Sequence, residues 1–174
     1  MKRVQVIVLC EDEQHWVFVS RFLKRRTNHR VRKVARPDGG SGEQFVREQY
    51  PHELRALRAT HVNAVLVVMI DGDKTSVAKR VAQLNEACRK RGIPPRTPQD
   101  RVALAVPTYS IETWLRYLDG HTVNETERYP HLKHRRDCKA HVRALVEMCT
   151  VRELRDPAPP SLIAACDEYR RVLP

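Results

Sequence analysis

The segment from Ala64 to Ile70 reads Ala-Val-Leu-Val-Val-Met-Ile and leaves no polar face at all. Such continuous apolarity implies a central strand covered by helices on both sides, because a strand with one wet face would alternate. The rest of the chain has to supply those covers. Val4 to Cys10 is also apolar and β-branched, and reads as a second buried strand. Arg30 to Ala35 alternates as a third, and Val102 to Val106 is a short fourth, closed by Pro107.

Helical spacing fills the gaps. Trp16, Val17, Val19, Phe22 and Leu23 recur along a helix from Glu13 to Arg25 with a basic outer face. A second helical stretch runs from Glu43 to about Thr60, with a break expected near Pro51. Thr75 to Arg91 is a third, ended by Gly92 and Pro94-Pro95, and Ile111 to Leu118 a fourth, with Ser110 as its expected cap. The Pro37 to Gly42 stretch, with three glycines, must be a loop. Beyond Gly120 the strand signal disappears, and Lys139 to Cys149 and Ser161 to Val172 read as helices separated by Pro157-Ala158-Pro159-Pro160. Alternating strands and helices call for a parallel, doubly wound sheet whose right-handed crossovers put the loops after each strand on one edge. The expected organisation is an α/β domain over residues 1–120 and a helical extension over 121–174 packed on the same unit. A chain of 174 residues, 41% hydrophobic, supports one core of that size.

Composition narrows the setting. No run approaches the roughly 20 apolar residues of a membrane span. The Met1-Lys2-Arg3 start ahead of an apolar stretch superficially resembles a signal peptide, but Glu11-Asp12-Glu13 stands where a cleavage site would be. Five cysteines without a CxxC pair suit free thiols in a reducing cytoplasm. The net charge of +11, from 32 Lys and Arg against 21 Asp and Glu, sets up a field that attracts polyanions. Arg21 to Arg36 and Lys133 to Arg143 are the two basic groupings; Arg21, Lys24, Arg25, Lys133, Arg135, Arg136 and Lys139 are the candidate nucleic-acid contacts. His131, His134, Cys138 and His141 have spacings that could serve zinc, although a basic solvated surface is the simpler account.

Against that basic background, acidic residues sit immediately after the strands. Glu11 follows the first, Asp71 and Asp73 the central one, and Glu112 comes shortly after the last. Crowded carboxylates repel, so their convergence calls for a compensating cation, and oxygen-only ligands favour Mg²⁺ or Mn²⁺. Gly72 permits a tight path between the two aspartates. The competing account is that they cap the helix near Thr75.

A strand ending in Glu11, a later apolar strand ending in Asp71-Gly72-Asp73, and Ile111-Glu112-Thr113-Trp114-Leu115 after the last strand together resemble the TOPRIM domain of topoisomerases, primases and OLD-type nucleases. The last motif is especially similar to small stand-alone TOPRIM proteins of bacterial defence islands. The resemblance covers roughly Val4 to Leu118. Family members usually have Gly after the first Glu, where this chain has Asp12, and many relatives carry a second Glu one turn on, where it has His15. His15 either replaces that ligand, supports one from behind, or is an ordinary exposed helix residue.

The resemblance implies metal-assisted phosphodiester hydrolysis. Asp71 and Asp73 would hold the principal Mg²⁺, Glu11 would be a ligand or general base, and Glu112 would complete a second metal position. Lys74 would neutralise charge developing at phosphorus. The implied partners are nucleic acid, DNA ahead of RNA, and a separate ATPase subunit. Two other readings stay open: a non-catalytic nucleic-acid-binding or regulatory module with a degenerate site, and a phosphoacceptor receiver domain using Asp71. The Gly39 to Gly42 loop lacks the lysine of a P-loop, no Ser-His-Asp or Cys-His set is visible, and the strand-passage domains of a topoisomerase would not fit this length.

Overall fold

The computed structural model describes residues 4–26, 29–150 and 153–173. The basic head Met1 to Arg3 lies outside the described residues. In chain order the elements are β1 (Gln5–Cys10), α1 (Glu13–Arg26), β2 (Arg30–Lys33), α2 (Gly42–Ala59), β3 (Ala64–Met69), α3 (Val77–Lys90), β4 (Val102–Ala105), α4 (Ile111–Leu118), α5 (Lys139–Thr150) and α6 (Pro160–Val172). The four strands form one sheet in the order β2-β1-β3-β4, and every neighbouring pair is parallel.

Burial of both sheet faces follows the period of two along each strand. On β3, Val65, Val67 and Met69 enter one core while Leu66 and Val68, with Ile70 just beyond, enter the other. The first core is closed by α1 and α4 to α6, the second by α2 and α3. The all-apolar run is therefore apolar because both sides of the strand are dry. β2, at the sheet edge, alternates between exposed and half-buried positions and carries Arg30, Arg32 and Lys33, charges that discourage further strand addition.

The C-terminal helices pack onto this unit, α6 against β4 and α5 against α1. Arg96, ahead of β4, grips Glu168 of α6 through two parallel bonds of 2.7 Å each. Trp114 of α4 is buried and donates its indole N–H to Ser161 Oγ at 2.7 Å. Among the described residues no helix is long and apolar enough to cross a membrane.

Three expectations need correction. The break near Pro51 does not occur: α2 runs unbroken from Gly42 to Ala59 with Pro51 inside it. One backbone hydrogen bond is forfeited there, and burial of Val46, Tyr50, Pro51 and Leu54 on a single face offsets the loss. The cysteines are not all free thiols: Cys149 of α5 and Cys166 of α6 are joined in a disulfide, leaving Cys10, Cys88 and Cys138 free and buried. Their pairing was hidden because the helices that carry them meet only in the folded chain. Ser110 sits at the cap position of α4 without capping its backbone; its hydroxyl serves the Glu112 carboxylate instead.

Candidate functional site

The ends of β1 and β3 lie side by side, with Cys10 opposite Met69. One or two residues further on, the Asp71 main-chain N–H donates to Glu11 Oε1 at 2.7 Å across a sequence separation of 60. The loop before α2 presses against the same spot. A Cβ on Gly42 would lie 2.6 Å from the Glu11 carbonyl oxygen, and Arg36 Nη1 donates to that oxygen at 2.6 Å. Glu11 is thus fixed from two chain segments, the turn after β3 and the connection from β2 into α2.

Asp12 has a local structural role. Its Oδ1 accepts from the His15 N–H at 2.9 Å, which caps the first turn of α1. That turn aims His15 inward. His15 is 1% exposed, which removes the exposed-residue account, and its Nε2 stands 3.1 Å from Asp71 Oδ1. Burial alone would depress the His15 pKa, but the Asp71 carboxylate overcomes it and lifts the ring to about 9. Burial pushes the Glu11 carboxyl up to about 7 against the pull of His15, and the Asp71 and Asp73 charges add to the rise. Glu11 after β1, His15 of α1, and Asp71 and Asp73 of the β3–α3 turn are therefore electrostatically joined.

The turn after β3 is held from two sides. A Cβ on Gly72 would meet the Thr108 carbonyl oxygen at 2.3 Å, so the Asp71-Gly72-Asp73 backbone lies directly against the loop after β4. Asp73 has φ +51°, and its carboxylate is 67% exposed. Arg80, only 4% exposed on α3, reaches it with Nη2 at 2.9 Å and contacts Glu43 of α2 with Nη1 at 2.8 Å. Sequence reasoning missed Arg80, since one arginine among 32 basic residues carries no signal of its own. Lys74 points to solvent and does not line the cleft formed by these groups.

That cleft, about 260 Å³, is lined by Asp12, His15, Asp71 and Asp73 on one side and by Glu112 and Tyr109 on the other. Its lip comes from the irregular stretch between α4 and α5, which contributes Arg128, Tyr129, His131 and Arg135. Glu112 is 3% exposed, and its Oε1 lies 2.7 Å from His131 Nδ1. Burial works to raise the Glu112 pKa, yet the Ser110 hydroxyl and the His131 ring outweigh it and hold the carboxyl below its ordinary value. Arg128 donates through Nε to the Tyr109 hydroxyl at 3.0 Å, with its guanidinium 5.2 Å from that ring. The sequence marked Arg135 as a basic candidate and His131 by its spacing to His134, but gave no sign that they meet the cleft, because no periodic element carries this stretch.

The basic groupings divide. Arg21 is engaged with the Arg136 carbonyl oxygen at 2.5 Å and with Cys138 Sγ, tying α1 to the stretch before α5. Arg135 and Arg136 stand 3.7 and 3.0 Å from Asp12 and Glu13 at the start of α1. Lys24, Arg25, Lys133 and Lys139 are exposed. The zinc spacing does not assemble: His131 turns to Glu112, His141 lies 2.9 Å from Asp119, and Cys138 is buried beside Arg21. Among the described residues no three His, Cys, Asp or Glu side chains are already spaced around one cation position.

Fold and site together define a Rossmann-like α/β protein with an acidic cleft at the carboxyl edge of a parallel sheet, the usual location for ligands in this architecture. Comparison with protein-family models, with curated proteins and with solved structures finds no match to the chain.

Proposed function

We propose that the protein is a metal-dependent phosphodiester hydrolase of TOPRIM type, acting on nucleic acid. The observation that carries the reading is the Asp71 N–H to Glu11 Oε1 bond of 2.7 Å, which joins the acidic residues of β1 and β3 at one sheet edge. The donor chemistry fits Mg²⁺ or Mn²⁺, since Glu11, Asp71 and Asp73 offer carboxylate oxygens. Such a cation supplies Lewis-acid activation of a phosphodiester and of the attacking water. Asp71 and Asp73 would hold it by turning from His15 and Arg80, and Glu11 would orient water from its fixed seat below Asp71. The lip arginines Arg128 and Arg135 suit a polyanionic substrate, in keeping with the net charge of +11. The resemblance to stand-alone TOPRIM proteins of defence islands adds DNA ahead of RNA as substrate, and a separate ATPase subunit as partner.

The test is nicking of supercoiled plasmid DNA in Mn²⁺. The expected result is metal-dependent nicking that falls to background in Asp71→Asn, with circular dichroism unchanged. Absence of nicking by the wild-type protein, or full activity in the variant, overturns the reading.

One observation favours a second reading. His15 on Asp71 and Arg80 on Asp73 already balance the acidic charge with protein cations. In a regulatory module with a degenerate site those pairs are permanent, and nucleic acid binds at the lip without metal. Tight binding in EDTA, with no cleavage in Mn²⁺, selects that alternative.

A further inference from the structure

Glu112 meets His131 in a way that the acidic floor of the cleft does not require. A carboxylate 3% exposed in the first turn of α4 holds Nδ1 of a ring whose side chain is 71% exposed, at 2.7 Å. Glu112 has the Ser110 hydroxyl as a further polar neighbour that favours its charged form. The contact therefore does more for the ring than for the acid: it fixes an otherwise free surface imidazole in one orientation. With Nδ1 turned to Glu112, Nε2 points the other way, and it has no hydrogen-bond partner among the described residues. Both residues line the cleft that holds His15, Asp71 and Asp73. A buried carboxylate steering an exposed imidazole through Nδ1, with Nε2 left for a ligand, is the arrangement by which proteins present a histidine to a reacting group.

We propose that His131 is a substrate-contacting residue, with Nε2 directed at the phosphodiester in the cleft, and that Glu112 is its positioning residue. This rests on the nuclease reading above and deepens it. Glu112 is thereby moved from the set of metal ligands to the support of a histidine. The metal stays with Glu11, Asp71 and Asp73. The stretch between α4 and α5, outside the region of resemblance, becomes the part of the chain that meets the nucleic acid.

The experiment measures plasmid nicking in Mn²⁺ alongside Mn²⁺ affinity by electron paramagnetic resonance, for wild type, His131→Ala, Glu112→Ala and Glu112→Gln. His131→Ala is expected to lose at least tenfold in rate with Mn²⁺ affinity unchanged, and added imidazole restores part of the loss while leaving wild type unaffected. Glu112→Ala shows the same loss, and Glu112→Gln, which keeps an oxygen for Nδ1–H, recovers part of it. His131→Ala at full rate, or slowed without imidazole rescue, overturns the inference. So does Glu112→Ala with weakened Mn²⁺ binding, which returns Glu112 to the metal. If the wild-type protein nicks nothing, the nuclease reading itself falls and takes this inference with it, an outcome distinct from failure of the variants alone.

Discussion

Arg80 lies 2.9 Å from Asp73 although neither its helix position nor its neighbours in sequence mark it out. The same guanidinium contacts Glu43, so one buried side chain fastens α2, α3 and the turn after β3. Removing it leaves the largely exposed Asp73 without its cation, while Glu43 keeps Arg47 at 3.1 Å. Arg80→Ala is expected to destabilise the fold by about 2 kcal/mol, read from urea unfolding. A loss below a few tenths would mean that the two contacts contribute nothing net.

Gly72 is a sterically closed position. The atoms a Cβ would meet, the carbonyl oxygens of Thr108 at 2.3 Å and Pro107 at 2.9 Å, are backbone and cannot swing aside. Gly72→Ala is therefore expected to cost about 1–3 kcal/mol and to displace Asp71 and Asp73 together. Thermal unfolding reports the first effect. Loss of plasmid nicking, with every carboxylate still present, reports the second.

Asp100 gives the acid limb of stability a defined contributor. Hydrogen bonds from Arg58, at 2.9 and 2.7 Å, hold its pKa down at about 2. The unfolded chain takes up this proton near the ordinary value of about 3.9, so the contribution is complete above that pH and disappears as pH falls through about 2. Its size is on the order of 1–2 kcal/mol, allowing for the partly exposed Arg58. Asp100→Asn should flatten stability between about pH 4 and pH 2 in urea titrations. An unchanged acid limb in the variant would remove Asp100 as the cause.

The Cys149–Cys166 bond closes a loop of separation 17 between α5 and α6. Constraint of the unfolded chain by a loop of that length is worth about 3 kcal/mol. Thiol titration of the denatured, unreduced protein should count the three free cysteines, rising to five after reduction. Reduction should also lower the urea midpoint. Five thiols before reduction would dismiss the bond.

Much of the fold was legible along the chain, for a local reason. Period-two and period-3.6 patterns are set by residues a few positions apart, so the four strands and six helices of the described residues follow from the sequence to within a residue or two at most ends. The seven-residue apolar run from Ala64 to Ile70 specified a strand with two dry faces, and the placement of Glu11 and Asp71 after neighbouring parallel strands specified that they meet. Pro51 misled because the local cost of a proline was visible, whereas the buried face of α2 that offsets it was not.

What the tertiary structure decided is who stands beside whom across long separations. Arg80 finds Glu43 37 residues away, Arg136 finds Glu13 across 123, and His131 reaches back 19 residues to Glu112. No periodicity encodes such pairs, because they arise where crossovers and an irregular stretch bring unrelated segments to one sheet edge. The sequence by itself placed Glu11 and Asp71 at one sheet edge, where Glu11 holds the Asp71 main chain and Asp71 and Asp73 line the cleft. Its lip, its internal cations and the partner of Glu112 were decided only when the chain closed, since a hydrogen bond depends on separations of about 3 Å that local pattern cannot carry.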